Sequence, residues 1–181
     1  MRKERSSMHV TEDNNAEFFF SKAEELLDLN KAAEAQDYIR KGLAKGIDYV
    51  PFFDIFEEKI KTGRTITFIC PRKGSYSKEM ILDGMSFYSY LLEATIEFLL
   101  SSKHIHQIVS LENVTYLSDI GPISLLNLQN QAKEVGGEIK YANACKAVKQ
   151  LADKYMEWER QEYPRIYHSV SDAIADFHES K

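Results

Sequence analysis

Six consecutive residues, Tyr116-Leu117-Ser118-Asp119-Ile120-Gly121, set small polar side chains between an apolar run and a helical pattern. At such a junction the first backbone N–H groups of the helix are unpaired and the helix dipole makes the spot sensitive to negative charge. A hydroxyl and a carboxylate placed there can cap the helix, carry a modification or meet a charged partner. Capping alone accounts for a Ser118-Asp119 pair ahead of Pro122. A cap can also be a contact, so the two readings are compatible.

Other reactive residue types are less suggestive. His104-Ile105-His106 puts two imidazoles on one side of an extended stretch, without a third ligand in register. Cys70 and Cys145 lie in segments expected to be structured, without a neighbouring base, and read as buried free thiols. Arg72-Lys73-Gly74-Ser75 is basic and contains glycine, yet lacks the spacing of a phosphate-binding loop and reads as a hairpin turn. No paired carboxylates or Ser/His/Asp set has catalytic spacing. The expectation is a protein that is not an enzyme, with no cofactor and no metal.

The elements that position these residues follow from hydrophobic periodicity. Residues 16–29 and 32–44 carry helical stripes, with Asn14 or Asn15 as the first cap. Val50 to Ile60, opening with Pro51, reads as a third amphipathic helix closed by Gly63. Arg64 to Cys70 is β-branched and aromatic, and Glu79 to Asp83 reads as its hairpin partner. Ser86 to Ser101 is a helix and Ile105 to Leu111 an apolar strand. Pro122 to Val135 is a helix burying Leu125, Leu128, Ala132 and Val135, ended by Gly136-Gly137. Strand 138–141, helix 144–161, strand 165–168 and helix 170–177 complete the chain. This alternation implies an α/β fold with a largely parallel sheet covered by helices. A small all-helical segment, 1–62, precedes the sheet domain, 63–181. Phe18-Phe19-Phe20 and Phe52, Phe53 and Phe56 are the expected interface between them.

The 181 residues are 44% hydrophobic and 28% charged, as in an ordinary globular domain. The net charge of −5 has no basic face that would suggest nucleic acid or a membrane surface. No apolar run reaches the length of a membrane span, and the basic N-terminus lacks a signal-peptide core. A cytoplasmic protein is expected.

From Arg64 to Phe177 the order of elements, with this turn, resembles the STAS domain of anti-sigma factor antagonists. In that family a strand ends in a hydrophobic residue, followed by Asp-Ser-Ser/Thr-Gly and a leucine-rich helix that closes in Gly-Gly. Here Ile108 to Leu117 leads into Ser118-Asp119-Ile120-Gly121, Leu125-Leu126 and Gly136-Gly137-Glu138-Ile139. Tyr167 to Ile174 resembles the family's last strand and helix. The family's phosphorylated serine falls at Asp119, its preceding aspartate at Ser118, and its second hydroxyl residue at Ile120. A carboxylate at that position is a permanent, weaker imitation of a phosphoserine. Ahead of this region, residues 16–46 weakly resemble a tetratricopeptide hairpin, with 50–60 as a capping helix.

The resemblance implies a bacterial signalling adaptor that binds a regulatory protein, such as an anti-sigma factor kinase, by partner switching in transcription regulation. The contact would involve Leu117, Ser118, Asp119, Ile120 and Gly121 together with Ser124, Asn127, Gln131 and Glu134 on the following helix. Kinase switching would be absent or moved to Ser118. A scaffold that forms a homodimer, or a small-molecule or nucleotide sensor, are the alternatives.

Overall fold

The computed structural model describes residues 15–72, 80–118, 120–159 and 165–179. Two helices, α1 (Ala16–Asp28) and α2 (Ala32–Leu43), form an antiparallel hairpin. Asn15 caps α1, its side chain accepting the Glu17 N–H at 3.1 Å. Asn30 takes the left-handed conformation, φ 58°, that reverses the chain. Gly42 lets the helices touch: a Cβ there would stand 2.7 Å from the Phe20 ring.

The stretch expected to be a capping helix is a strand. After Pro51 and Phe52, whose φ of 71° no helix accommodates, β1 (Phe53–Lys59) runs antiparallel to β2 (Thr65–Pro71). Its aromatic and aliphatic residues fit a period of two as well as one of 3.6. Phe53 and Ile55 enter the main core, while Phe56 stacks on Phe68 from the other face, ring centroids 5.0 Å apart. Gly63, read as a helix stop, forms the hairpin turn with φ 85°. A boundary at residues 62/63 thus falls inside a hairpin of the sheet.

The second correction concerns residues 79–83. β2 is already paired on both sides, so β3 (Met80–Leu82) does not join it. Instead β3 lies parallel to β5 (Val114–Leu117), forming a separate two-stranded sheet. Between them come α3 (Phe87–Ser101) and β4 (His106–Ser110). The remaining elements are α4 (Gly121–Glu134), β6 (Glu138–Ala142), α5 (Lys146–Glu159), β7 (Ile166–Tyr167) and α6 (Val170–Glu179). The main sheet has the order β1-β2-β4-β6-β7, and every pair beyond β1–β2 is parallel. The fold is mixed α/β with a mostly parallel sheet, as expected. Among the described residues no helix is long and apolar enough to cross a membrane.

One sheet face carries the larger core. There Ile69, Val109, Ile139 and Tyr141 meet residues of α3, α4 and α5, continuous with Phe20, Ile39 and Leu43 of the hairpin. The hairpin packs on α3 rather than on further repeats, so a tetratricopeptide stack has no support among the described residues. Phe20, Phe52 and Phe53 do lie in this shared core, as expected of an interface. Phe56 does not; it lies on the other face and is 49% exposed.

That other face is smaller: Ile66, Phe68, Ile108 and Ala142 pack with Ala173 and Phe177 of α6. Ser169 and Asp172 cap α6 reciprocally, each side chain accepting the other's backbone N–H at 3.1 Å. A charge lies beneath the helix. Lys140, only 2% exposed at its side chain, pairs with Asp176 and with Glu138 at 2.9 Å, and sits 4.3 Å from the centre of the Phe177 ring. Tyr167 donates its hydroxyl proton to Asp176 at 2.6 Å. Bonds from Lys140 and then Tyr167 hold the Asp176 carboxyl below its usual range. The stabilisation is therefore complete above the ordinary carboxylate range and is lost as pH falls through the depressed value. Asp176→Asn is expected to cost about 1–3 kcal/mol at neutral pH and to flatten the acid limb of the stability profile. Urea titrations at neutral and acid pH measure this; an unchanged midpoint at neutral pH contradicts it.

Candidate functional site

The turn before α4 is built by close backbone contacts. Ser118 donates its N–H to the Leu82 carbonyl at 2.9 Å, extending the β3–β5 pairing by one residue. The chain then folds back, with the Gly121 N–H on the Ser118 carbonyl at 3.1 Å. Gly121 has no room for a side chain: a Cβ would stand 2.3 Å from Leu117 Cδ1 and 2.8 Å from the Leu82 carbonyl oxygen. Pro122 follows in the first turn of α4, where its missing N–H costs nothing.

This geometry alters the capping expectation. The residue at the cap position is Ile120, and among the described residues no side chain caps α4. The Ser118 hydroxyl accepts the Ile120 N–H at 3.3 Å and so closes the turn ahead of the helix. Asp119, the position that the resemblance singled out, lies outside the described residues. The strand feeding the turn is β5 of the small sheet, where a strand of the main sheet was expected.

The expected contact residues divide into three groups. Leu117, 1% exposed, and Gly121 are buried and shape the turn, unlike the exposed residues expected of a contact. Ser124 is half-buried and bonds Glu93 of α3, again unlike a water-facing residue. Burial raises the Glu93 pKa, and the Ser124 hydroxyl only partly offsets this. Ile120, Asn127, Gln131 and Glu134 are exposed. Val135, placed in the buried stripe on sequence grounds, is 53% exposed because α4 has ended at Glu134.

The structure adds apolar residues to this surface. Ile120 is 51% exposed and Ile123, one turn along, 45%. The loop after β3 comes up beside them: a Cβ on Gly84 would stand 2.9 Å from Ile120 Cγ2, and Met85 next to it is 70% exposed. Ile123 was recognisable in the sequence, since it lies off the Leu125-Leu128-Ala132 stripe. Met85 was not, because its loop meets Ile120, from a distant part of the chain, only through Gly84.

The Gly84–Met85 loop is held rigidly. Asp83 Oδ1 accepts the Met85 and Ser86 N–H groups at 2.9 and 2.6 Å, and the Ser89 hydroxyl accepts those of Asp83 and Gly84 at 3.0 and 3.2 Å. Partial burial opposes ionisation of Asp83, but the Met85 and Ser86 bonds outweigh it and hold the carboxyl low. Beneath the helix start, among Leu82, Ser89, Glu93, Ser124 and Leu125, the open space is about 10 Å³. That holds one water at most, which leaves the nucleotide-sensor alternative without a pocket here among the described residues.

The remaining candidates have structural partners. His104 Nδ1 pairs with Glu57 at 2.7 Å, whereas the His106 ring lies edge-on to Phe177, centroids 5.9 Å apart. Arg72 pairs with Asp54 at 2.8 Å, while residues 73–75 lie outside the described residues. Cys70 is half-buried, its thiol pKa raised by burial and then by Asp54 and Glu112. Cys145, expected to be buried, is exposed in the connection before α5.

No protein-family profile matches this sequence, and no curated protein sequence matches it. Among solved structures, a Thermotoga maritima protein assigned as an anti-sigma factor antagonist aligns at 13% identity with a TM-score of 0.49. The alignment covers 68% of this chain and 94% of that one. The murine solute carrier 26 family member A9 anion transporter, in its inward-facing state, aligns at 10% identity with a TM-score of 0.46, covering 91% of this chain and 29% of that one.

The loop network predicts a loss when it is cut. Asp83→Ala leaves two backbone N–H groups without their acceptor and is expected to cost about 1–2 kcal/mol. Chemical denaturation tests this, and a midpoint equal to wild type contradicts it.

Proposed function

We propose that the chain is a non-catalytic signalling adaptor resembling an anti-sigma factor antagonist, which binds a regulatory protein through the start and exposed side of α4. The observation that carries this reading is the group of apolar side chains left in water at the helix start: Ile120, Ile123 and Met85. Apolar groups at the centre with polar groups around them is the usual anatomy of a protein contact. Asn127, Gln131 and Glu134 supply that polar side. The sequence resemblance supplies the class of partner, a regulatory protein such as an anti-sigma factor kinase, and the mechanism, competition for it.

In this reading Asp119 stands where the resembled family carries its phosphorylated serine. Its fixed charge offers no hydroxyl to phosphorylate, so kinase switching is absent or moved to Ser118. Asp119→Ser is then expected to change partner affinity by at least about 1 kcal/mol, the scale of a charge at a helix terminus.

The apolar component has its own test. Ile120→Glu/Ile123→Glu changes only exposed side chains, so the variant is expected to melt like wild type. It should also fail to retain the protein that wild type retains from native cell extract. Retention of the same protein at the same yield overturns the reading. Elution of wild type as a dimer that the variant breaks would favour the scaffold alternative.

A further inference from the structure

A second surface, with no described lining residue from the turn or α4, has the composition of a ligand site. A cleft of about 760 Å³ opens between α1, the connection ahead of β1 and the start of α3. Its volume lies within the roughly 300–1,000 Å³ typical of small-molecule pockets. Three aromatic rings line it, with Phe20 and Phe52 buried and Phe87 half-buried. Phe52 and Phe87 lie 5.8 Å apart and are tilted to one another.

The position of Phe52 is enforced. Its φ of 71° is an outlier for a bulky residue. Two bonds from Arg72 secure this connection: its N–H to the Phe52 carbonyl at 2.6 Å, and its Nη2 to the Phe53 carbonyl at 2.9 Å. The Arg72 guanidinium also pairs with Asp54 at 2.8 Å, so the cationic side chain among the described lining residues is already neutralised.

The rim is acidic. Glu17 and Glu24 stand on one face of α1, and Asp48 faces them from the connection. Glu17 and Asp48 are exposed, and neither has a charged partner among the described residues. Carboxylates and aromatic rings lining one cleft can attract an organic cation twice, through charge and through the ring quadrupole. Elsewhere in the hairpin ammonium groups already sit on rings: Lys41 on Tyr38 at 4.9 Å and Lys45 on Phe19 at 5.6 Å.

We infer that this cleft binds an ammonium or guanidinium group carried on an apolar stem. An anion would meet the rim's repulsion. A neutral apolar ligand would bury the carboxylates without compensation. Two sources share the required chemistry, a free organic amine and the arginine or lysine side chain of another protein.

The test is an amide NMR titration of the full chain with N-butylguanidinium, with its neutral isostere N-butylurea and with the peptide acetyl-Gly-Arg-Gly-amide. The cation should shift the Phe52 and Phe87 amides and bind at least about tenfold more tightly than the urea. Glu17→Gln/Asp48→Asn, which removes two exposed charges and should melt like wild type, should weaken cation binding by a similar factor. Tighter binding of the peptide assigns the site to a protein side chain, and tighter binding of the free guanidinium to a small molecule. Equal affinity for cation and urea, no effect of the double variant, or shifts that avoid both amides overturns the inference.

Discussion

The contact on which the rest of the α4 surface depends is the one with no space in it, Gly121 pressed between the Leu117 side chain and the Leu82 carbonyl. Any side chain at that position would push α4 away from β3. The Gly84–Met85 loop would then leave Ile120, and the apolar group would come apart. Backbone hydrogen bonding reinforces the contact, since Ser118 continues the β3–β5 ladder up to the turn. A two-stranded sheet is weak alone. Here α5 packs on β5 and α3 on β3, which gives the pair tertiary support.

The main sheet carries two cores of unequal size. The larger takes in the helical hairpin, so α1 and α2 share apolar contacts with the sheet strands. The smaller rests on α6 and contains a buried lysine. A charge in that position is tolerated because two carboxylates and an aromatic ring surround it. Removing one partner leaves the lysine undercompensated, which makes the seat of α6 sensitive to acid.

Most helices and the parallel strands of the main sheet were legible because their periodicity matched their burial. Of the two residues offered as the first cap, Asn14 and Asn15, it is Asn15 that caps α1. The stretch from Val50 to Ile60 was not legible, since its apolar residues suit either period and its pairing partner is fixed only by a hairpin. β5 was missed for a similar reason: its partner β3 is more than thirty residues away, across α3 and β4. Gly136-Gly137 was legible in location, and in cause for Gly136 alone. Gly136 supplies the positive φ, 77°, whereas Gly137 is needed because a Cβ would stand 2.1 Å from the Ile105 carbonyl oxygen. Of the candidate site, the polar side of α4 could be read from its helical stripe. Of the apolar part, Ile120 and Ile123 could be read as well, whereas Met85 could not, because it comes from the distant loop after β3.

The most direct measurement of the central claim is site-specific photo-crosslinking in native cells. A photoreactive phenylalanine analogue would replace Ile123, with a second chain carrying it at Glu34 on the exposed side of α2 as reference. The account predicts one dominant crosslinked protein from position 123 that is absent from position 34. The same pattern of adducts at both positions, or none at position 123, would contradict it.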